Sequence, residues 1–312
     1  MIQPNQIFNK RIGFSVLNWG LGHVSRCITV IKKLEQQNNK VFIFCDDVQK
    51  SLLEQYSLEA DYIDHEGYPF LFRGKGNFKR DMLLRAPKLF SFLRHEQKRT
   101  RTFIQKYELD CLISDQRYGF YSKDKPSIFI THQMKLPTRG IFKLGDLLNQ
   151  YLISKFDAIW IIDDERKRFA GRLSVNSDPS RAIYIGVQSR FELLSKKVKS
   201  NEGILVINGP KVYTEYLIAS FNEFIDQSKI DYIVGPKFVK SLLKDKNETI
   251  RFIANDDMAA IDNAFQSTKH VYGFFGYSTL MDCITLNVPF TLIPTPGQDE
   301  QIYLAKRHKK SL

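Results

Sequence analysis

Ile12-Gly13-Phe14-Ser15-Val16-Leu17-Asn18-Trp19-Gly20-Leu21-Gly22-His23-Val24-Ser25-Arg26 joins a short apolar run to a turn with two glycines and to the start of an amphipathic segment. The run at 12–17 reads as a strand, and the spaced apolar positions over 24–37 read as a helix. A second compact apolar run follows at 40–45. Strand, helix and strand in close succession mean a parallel sheet.

The rhythm continues outward. Strands are expected at 111–114, 127–131, 158–162 and 182–185, with a helix at 145–154. Over 186–202 the periodicity fades into a polar stretch containing Lys196, Lys197 and Lys199, which reads as a hinge. The pattern then restarts: strands at 204–207, 232–234, 249–253, 270–272 and 290–293, with helices at 213–224, 258–266 and 278–286. The expected organisation is therefore α/β with two Rossmann-like domains, residues 1–195 and 196–312. Such units place ligand crevices at the carboxyl ends of their strands, and a pair of them facing across a cleft suits a bisubstrate transfer enzyme.

The 312 residues are 43% hydrophobic, enough for two ordinary cores. Cys27, Cys45, Cys111 and Cys283 are widely spaced, form no CxxC pair and accompany six histidines, so neither a disulfide framework nor a zinc site is expected. No apolar run approaches the roughly 20 residues of a spanning helix, and residues 1–10 are polar, so a cytoplasmic protein without a signal peptide is expected. The formal net charge of +12 favours anionic partners, and much of it is local. Residues 73–106, which open on Arg73 and close on Lys106, hold eleven Lys or Arg against Asp81 and Glu96. Apolar residues such as Phe78, Phe90 and Phe92 are interleaved, so this segment is expected to lie against an anionic membrane surface. The same charge would suit nucleic acid, but no recognised nucleic-acid module accompanies it, and nucleic acid is not the expected partner.

Two strand-to-helix turns carry candidate chemistry. Gly20 and Gly22 permit a tight turn whose backbone N–H groups point at a ligand, with His23 at the start of the helix. The turn lacks the third glycine of GxGxxG and the GK[ST] ending of a P-loop. Gly273-Phe274-Phe275-Gly276-Tyr277-Ser278-Thr279 is a second such turn; its N–H groups can receive a diphosphate, and the Asp282 carboxylate can accept from ribose hydroxyls. Pro294-Thr295-Pro296-Gly297-Gln298-Asp299-Glu300-Gln301 offers amides and carboxylates for sugar hydroxyls. Asp46-Asp47 and Asp163-Asp164 read as strand-to-helix caps, not as a metal-binding DxD pair, and no metal is expected.

Together these residues resemble the GT-B glycosyltransferases of the MurG-like group, in the family's motif order over most of the chain. The resemblance implies metal-independent, hexosyltransferase-type transfer from a nucleotide sugar, UDP-linked, to a hydroxyl acceptor, with no cofactor beyond that co-substrate. Gly20-Leu21-Gly22-His23 looks like the family's acceptor-side glycine loop, which makes His23 the catalytic candidate. Asn255 and Met258, in Asn255-Asp256-Asp257-Met258-Ala259-Ala260, look like the base-binding loop and helix start. Gly276, Ser278, Thr279 and Asp282 match the diphosphate and ribose site, Gln301 matches a donor-sugar position with Gln298 beside it, Arg190 matches an arginine near the diphosphate, and Asn208-Gly209 matches the first turn of the second domain. Ser114-Asp115-Gln116-Arg117-Tyr118-Gly119 and Phe129-Ile130-Thr131-His132-Gln133 resemble an uncharacterised bacterial GT-B branch, which adds Asp115 to the acceptor loop and His132 as a second catalytic candidate.

Two departures stand out. Asp282 replaces the family's usual glutamate, and the family usually continues past the point where this chain stops. The resemblance also suits a peripheral enzyme of envelope glycan synthesis with a lipid-linked acceptor. Gly22-His23-Val24-Ser25-Arg26-Cys27 resembles as well the start of the UDP-sugar hydrolase of nonulosonic-acid synthesis, in which water is the acceptor.

Overall fold

The structure, a computed structural model, describes residues 2–18, 20–69, 86–137, 143–176, 178–195, 197–207, 213–214, 216–218, 229–242 and 250–308. Asn208 and Gly209, residues 70–85 of the basic segment and most of the helix expected at 213–224 lie outside them. The described residues divide into two compact α/β units, one through Ser189 and one from Arg190.

The first unit contains β1 (Arg11–Val16), α1 (Leu21–Glu35), β2 (Lys40–Cys45), α2 (Asp47–Leu53), β3 (Asp61–Asp64), α3 (Ala86–Lys106), β4 (Cys111–Asp115), β5 (Ser127–Thr131), α4 (Lys143–Ile153), β6 (Ala158–Ile161) and β7 (Ala182–Tyr184). Its strands form one parallel sheet in the order β3-β2-β1-β4-β5-β6-β7. Ile12, Phe14 and Val16 of β1 and Ile113 of β4 have no exposed area, as befits central strands covered on both faces. Each such side chain contributes about 1.5–3 kcal/mol of burial. The strand order reverses between β1 and β4, where ligand crevices of doubly wound sheets lie. Register pairs Val16 with Asp115, and Asp115 with Ile130, so the carboxyl ends of β1, β4 and β5 stand side by side.

β3 was not among the expected strands. It is an edge strand with aspartate at both ends and no buried residue, so it lacks the apolar run that marks the others. Asp46 caps α2 as expected, accepting from Gln49 N at 2.9 Å while the Gln49 side chain returns to Asp46 N. Asp163 differs: buried after β6, it accepts from the backbone N–H groups of Asp164, Phe169 and Ala170 and from Ser174 Oγ, clamping a loop instead of starting an α-helix.

The second unit contains β8 (Ile204–Val206), β9 (Tyr232–Gly235), a single helical turn Val239–Leu242, β10 (Arg251–Ala254), α5 (Met258–Ser267), β11 (Val271–Phe274), α6 (Tyr277–Leu286), β12 (Phe290–Ile293) and α7 (Asp299–His308). Its parallel sheet runs β10-β9-β8-β11-β12, with the order reversing between β8 and β11. Leu205, Ile207, Ile233 and Phe274 form the centre of its core. The unit begins ahead of the 195/196 boundary expected from the sequence. The reason is Arg190: its guanidinium pairs with Asp262 of α5 and Asp282 of α6, so the turn Arg190–Leu193 packs with the second unit before the lysine-rich stretch is reached.

Candidate active site

β1 delivers the chain to Gly20, which takes φ 81° and ψ 167°, a combination open essentially to glycine alone. A Cβ there would meet no atom within 4 Å, so backbone geometry and not crowding demands the glycine. Gly20 is the N-cap of α1 and offers no side-chain cap, which leaves the first N–H groups of the helix without that partner. His23 and Arg26, three residues apart, share one face of α1 and both reach Asp115 at the end of β4.

The Asp115 carboxylate has no exposed area. Arg26 donates to its Oδ1 from Nε at 2.9 Å and from Nη2 at 2.5 Å, and His23 Nδ1 lies 2.5 Å from Oδ2. Burial alone would raise this carboxyl, but Arg26 and then His23 outweigh it and hold Asp115 below its ordinary range, as a carboxylate. A carboxylate accepts only, so the proton between it and His23 sits on Nδ1. Nε2 of His23 is then the lone-pair nitrogen, in a side chain that retains 14% exposure. Burial first, then the Arg26 charge, lowers the His23 pKa against the raising effect of Asp115, which keeps the ring a neutral base. His132, just past β5, completes the group with Nδ1 3.3 Å from Arg26 Nη1. Cys27 is no nucleophile here: burial and the Asp115 charge push its thiol well above the usual value.

A second buried cluster supports the turn after β4. Glu96, the one acid of α3, accepts from Arg117 Nε at 2.7 Å and from Gly119 N at 3.1 Å, with His65 Nε2 at 3.1 Å. Arg117 also donates to Glu66 O at 2.6 Å and stacks 4.8 Å from the Tyr68 ring centroid. Gln116 between Asp115 and Arg117 takes a positive φ of 55°, and Ser114 Oγ bonds Arg117 N and O, which turns alternate side chains into opposite ion pairs. Gly67 lies so close to Asn18 that a Cβ would sit 1.8 Å from its Nδ2, and Tyr68 N donates to Asn18 Oδ1, so this cluster also braces the approach to the Gly20 turn.

In the second unit, β11 leads through Phe275 to Gly276, the N-cap of α6, again without a side-chain cap. Gly273 is required inside β11 because a Cβ would lie 2.6 Å from Val206 O. The N-terminus of α6, with Ser278 and Thr279 in its first turn, carries the positive end of the helix dipole. Arg190 and Asp282 are brought together there, but with each other. Arg190 donates from Nη1 to Asp282 Oδ2 at 2.7 Å and from Nε to Asp262 Oδ1 at 2.6 Å, and all three side chains are below a tenth exposed. The expected diphosphate contact of Arg190 and ribose contact of Asp282 thus meet a buried ionic brace between α5 and α6.

Around it, Asn255 donates its backbone N–H to Gly235 O at 3.0 Å, Asp257 caps α5 through Ala260 N, and Met258 is buried. Gln301 Oε1 accepts from Thr295 N at 2.7 Å, which locks the loop after β12 and turns the amide NH2 away from it. Gln298 closes the same turn by its backbone, donating to Thr295 O. Sequence reading missed Arg26, Glu96, Arg117 and His65. A signal for Arg26 existed in its three-residue spacing from His23; Glu96 stood alone as an acid in a basic helix.

No family model matches the chain. Its sequence is 21% identical over 302 residues to a UDP-N-acetylglucosamine–N-acetylmuramyl-(pentapeptide) pyrophosphoryl-undecaprenol N-acetylglucosamine transferase of Listeria welshimeri serovar 6b, covering 93% of this chain and 79% of that one. It is 23% identical over 316 residues to an uncharacterized glycosyltransferase of Methanosarcina acetivorans, covering 90% and 79%. Among solved structures, the spinosyn rhamnosyltransferase SpnG superposes with a TM-score of 0.65 at 13% identity, over 96% of this chain and 84% of that one. The chain therefore has the two-unit α/β fold of the GT-B glycosyltransferases, and its resemblance to the MurG-like group extends over nearly its whole length.

Proposed function

We propose that this protein is a glycosyltransferase that moves a hexose from a UDP-sugar to a hydroxyl of a lipid-linked acceptor, at the inner membrane surface, in envelope glycan synthesis. The observation that carries the chemistry is the His23–Asp115 pair: Nδ1–H is held by a buried carboxylate, and Nε2 is left as a base for the acceptor hydroxyl. The likeness to a transferase named for an undecaprenol-linked acceptor supports the lipid-linked class and the UDP donor. The nucleoside diphosphate leaves against the N-terminus of α6, with Gly276, Ser278 and Thr279 at the phosphates and Met258 and the Asn255 turn at the base. Gln298 and Gln301 stand at the donor sugar, and Arg190 with Asp282 hold α6 in place. This account needs no divalent metal at the leaving group.

Membrane placement is supported by α3. Lys88, Arg94, Lys98, Arg101 and Lys106 are exposed together with Phe90, while the helix's acid, Glu96, is turned inward. Each basic side chain near an anionic surface adds about 1 kcal/mol. Among the described residues no helix is long and apolar enough to cross a membrane.

The deciding experiment is a thermal-shift screen with nucleotide sugars, followed by product analysis with and without polyprenyl-linked acceptors. UDP at one hundred times its Kd stabilises by about 2.7 kcal/mol. The absence of any stabilisation by UDP or its sugars overturns the donor assignment. A second reading, UDP-sugar hydrolysis, is favoured by one observation: Arg26, from the stretch that resembles the hydrolase, is part of the His23 site. Free sugar formed at full rate without an acceptor selects that reading. Co-sedimentation with anionic but not neutral vesicles at low salt tests the membrane placement.

A further inference from the structure

The guanidinium of Arg26 lies between two imidazoles and a carboxylate inside the first unit, and it is 2% exposed. Its Nε and Nη2 are on Asp115 Oδ1, its Nη2 is 2.8 Å from His23 Nδ1, and its Nη1 is 3.3 Å from His132 Nδ1. An arginine donates and never accepts, and it does not lose its proton in proteins. Whatever Arg26 touches must therefore present a lone pair or an anion, unless a stronger acceptor claims the intervening proton.

His23 and His132 answer that demand in different ways. His23 Nδ1 is contested by the Arg26 donor and the Asp115 oxygen, and the carboxylate at 2.5 Å settles it: a ring lone pair facing an anion is repulsive, so Nδ1 carries the proton. His132 Nδ1 faces Arg26 Nη1, so it presents its lone pair. We propose that Arg26 is the positioning residue of this site: by holding the Asp115 carboxylate and the His132 Nδ1 lone pair with one guanidinium, it sets the two histidines in opposite tautomers. His23 is protonated on Nδ1 and bare on Nε2; His132 is bare on Nδ1 and protonated on Nε2. Nε2 of His23 is thereby a proton acceptor, as deprotonation of a hydroxyl requires.

Arg26 also sets the pH range of the base. The charged or titratable groups facing His23 are Arg26 on its own helix, Asp115 from β4 and His132 from beyond β5. Burial opposes imidazolium most, Arg26 adds to that opposition, and Asp115 favours it. Without Arg26 the carboxylate is opposed only by burial and the weaker influence of His132, and His23 holds its second proton to higher pH.

The consequence for turnover rests on the base role proposed for His23, but the tautomers are read with no substrate present, so the two readings fail separately. The experiment is long-range 1H–15N correlation on the full chain labelled with 15N-histidine, followed across pH. Of the six histidine rings, those of His23 and His132 are assigned by their loss in His23→Gln and His132→Gln. Expected in the wild type are a protonated Nδ1 on His23 and a protonated Nε2 on His132; in Arg26→Met the His23 titration moves to higher pH. Arg26→Lys keeps a charge and should hold the midpoint below that of Arg26→Met. A His132 ring protonated on Nδ1, or a His23 ring protonated on Nε2, overturns the proposal. So does a His23 midpoint that stays fixed in a folded Arg26→Met. The wild-type tautomers need no variant, and if Arg26→Met does not fold, a His23 midpoint in Arg26→Gln equal to that of Arg26→Lys counts against it.

Discussion

The two glycine turns, Gly20 before α1 and Gly276 before α6, are the same device used differently. Each follows a strand beside the reversal in its sheet, and each leaves a helix N-terminus without a side-chain cap. Beside the first, a buried Asp and Arg serve a histidine that keeps a partly exposed ring. Beside the second, an Arg pairs with two Asp side chains, all three buried. The first turn holds groups that can exchange a proton; the second offers backbone dipoles on a braced helix. The exposure and pairing of a charged cluster beside such a turn thus differ between the two units.

The largest expected effect breaks the first turn. His23→Gln removes the proposed base and should lower turnover about 10²–10⁴-fold while leaving UDP affinity within about a factor of two. Steady-state rates beside calorimetric UDP binding measure both. Turnover retained in His23→Gln would remove the histidine from the chemistry.

The converse is expected at the second turn. Arg190→Met strands two buried carboxylates, and Asp282→Ala strands part of Arg190, so each should cost about 3–5 kcal/mol of unfolding free energy in the second unit. Any loss of UDP binding should follow from that loosening and be recovered in large part by Asp282→Asn, which keeps an acceptor for Arg190. Full stability with a selective loss of UDP affinity would instead return Asp282 to a direct ribose contact.

What was legible in the sequence follows from the same physics. β1, β2, β4, β5 and β6 are buried on both faces and read as continuous apolar runs; β3, an edge strand, has no such run. Gly20, Gly276 and His23 were visible because glycine and histidine are local signals. Arg26 with Asp115 and Arg117 with Glu96 were not, because those pairs are 89 and 21 residues apart and exist only once α1, β4 and α3 are assembled. The pairing of Arg190 with Asp262 and Asp282 was likewise not legible, because a sequence position shows a charge but not its partner.

Acid should separate the units further. In the first, Asp115 and Glu96 are buried yet held below the ordinary carboxylate range, chiefly by Arg26 and by Arg117. Their stabilisation is complete above the ordinary carboxylate pKa of about 4 and is lost as pH falls through the lower folded values. His23 and His65 are lowered by burial, so their share is complete above about pH 6.5 and is eroded as pH falls below it, since the unfolded chain takes up the proton first. Both signs point the same way. In the second unit the histidine and the carboxylate with a lowered pKa, His270 and Asp256, are half-buried and exposed, where solvent screens them. Both tryptophans, Trp19 and Trp160, precede Ser189, so tryptophan fluorescence reports the first unit while far-UV circular dichroism reports both. Thermal midpoints by fluorescence should fall between pH 7 and pH 5 ahead of the later part of the dichroism transition; coincident midpoints throughout would contradict this.

The smallest expected effect sharpens the comparison at the turns themselves. Gly20 has φ 81° and ψ 167°, where a side chain costs about 1–3 kcal/mol in backbone strain even though the space beside it is open. Gly276 has φ −112° and ψ 138°, ordinary extended backbone that any residue adopts. Gly20→Ala should therefore destabilise the first unit by that amount, whereas Gly276→Ser should leave the second unchanged or stabilise it by a few tenths of a kcal/mol, because serine supplies the N-cap that α6 lacks. That cap occupies the N–H groups assigned to the diphosphate, so Gly276→Ser should weaken UDP binding while the fold gains. Denaturant melts give the stabilities and calorimetry gives the affinity. If UDP binds Gly276→Ser as tightly as the wild type while the melt shows the new cap in place, the phosphates do not sit at this helix end, and the donor site must be sought at another turn of the second unit.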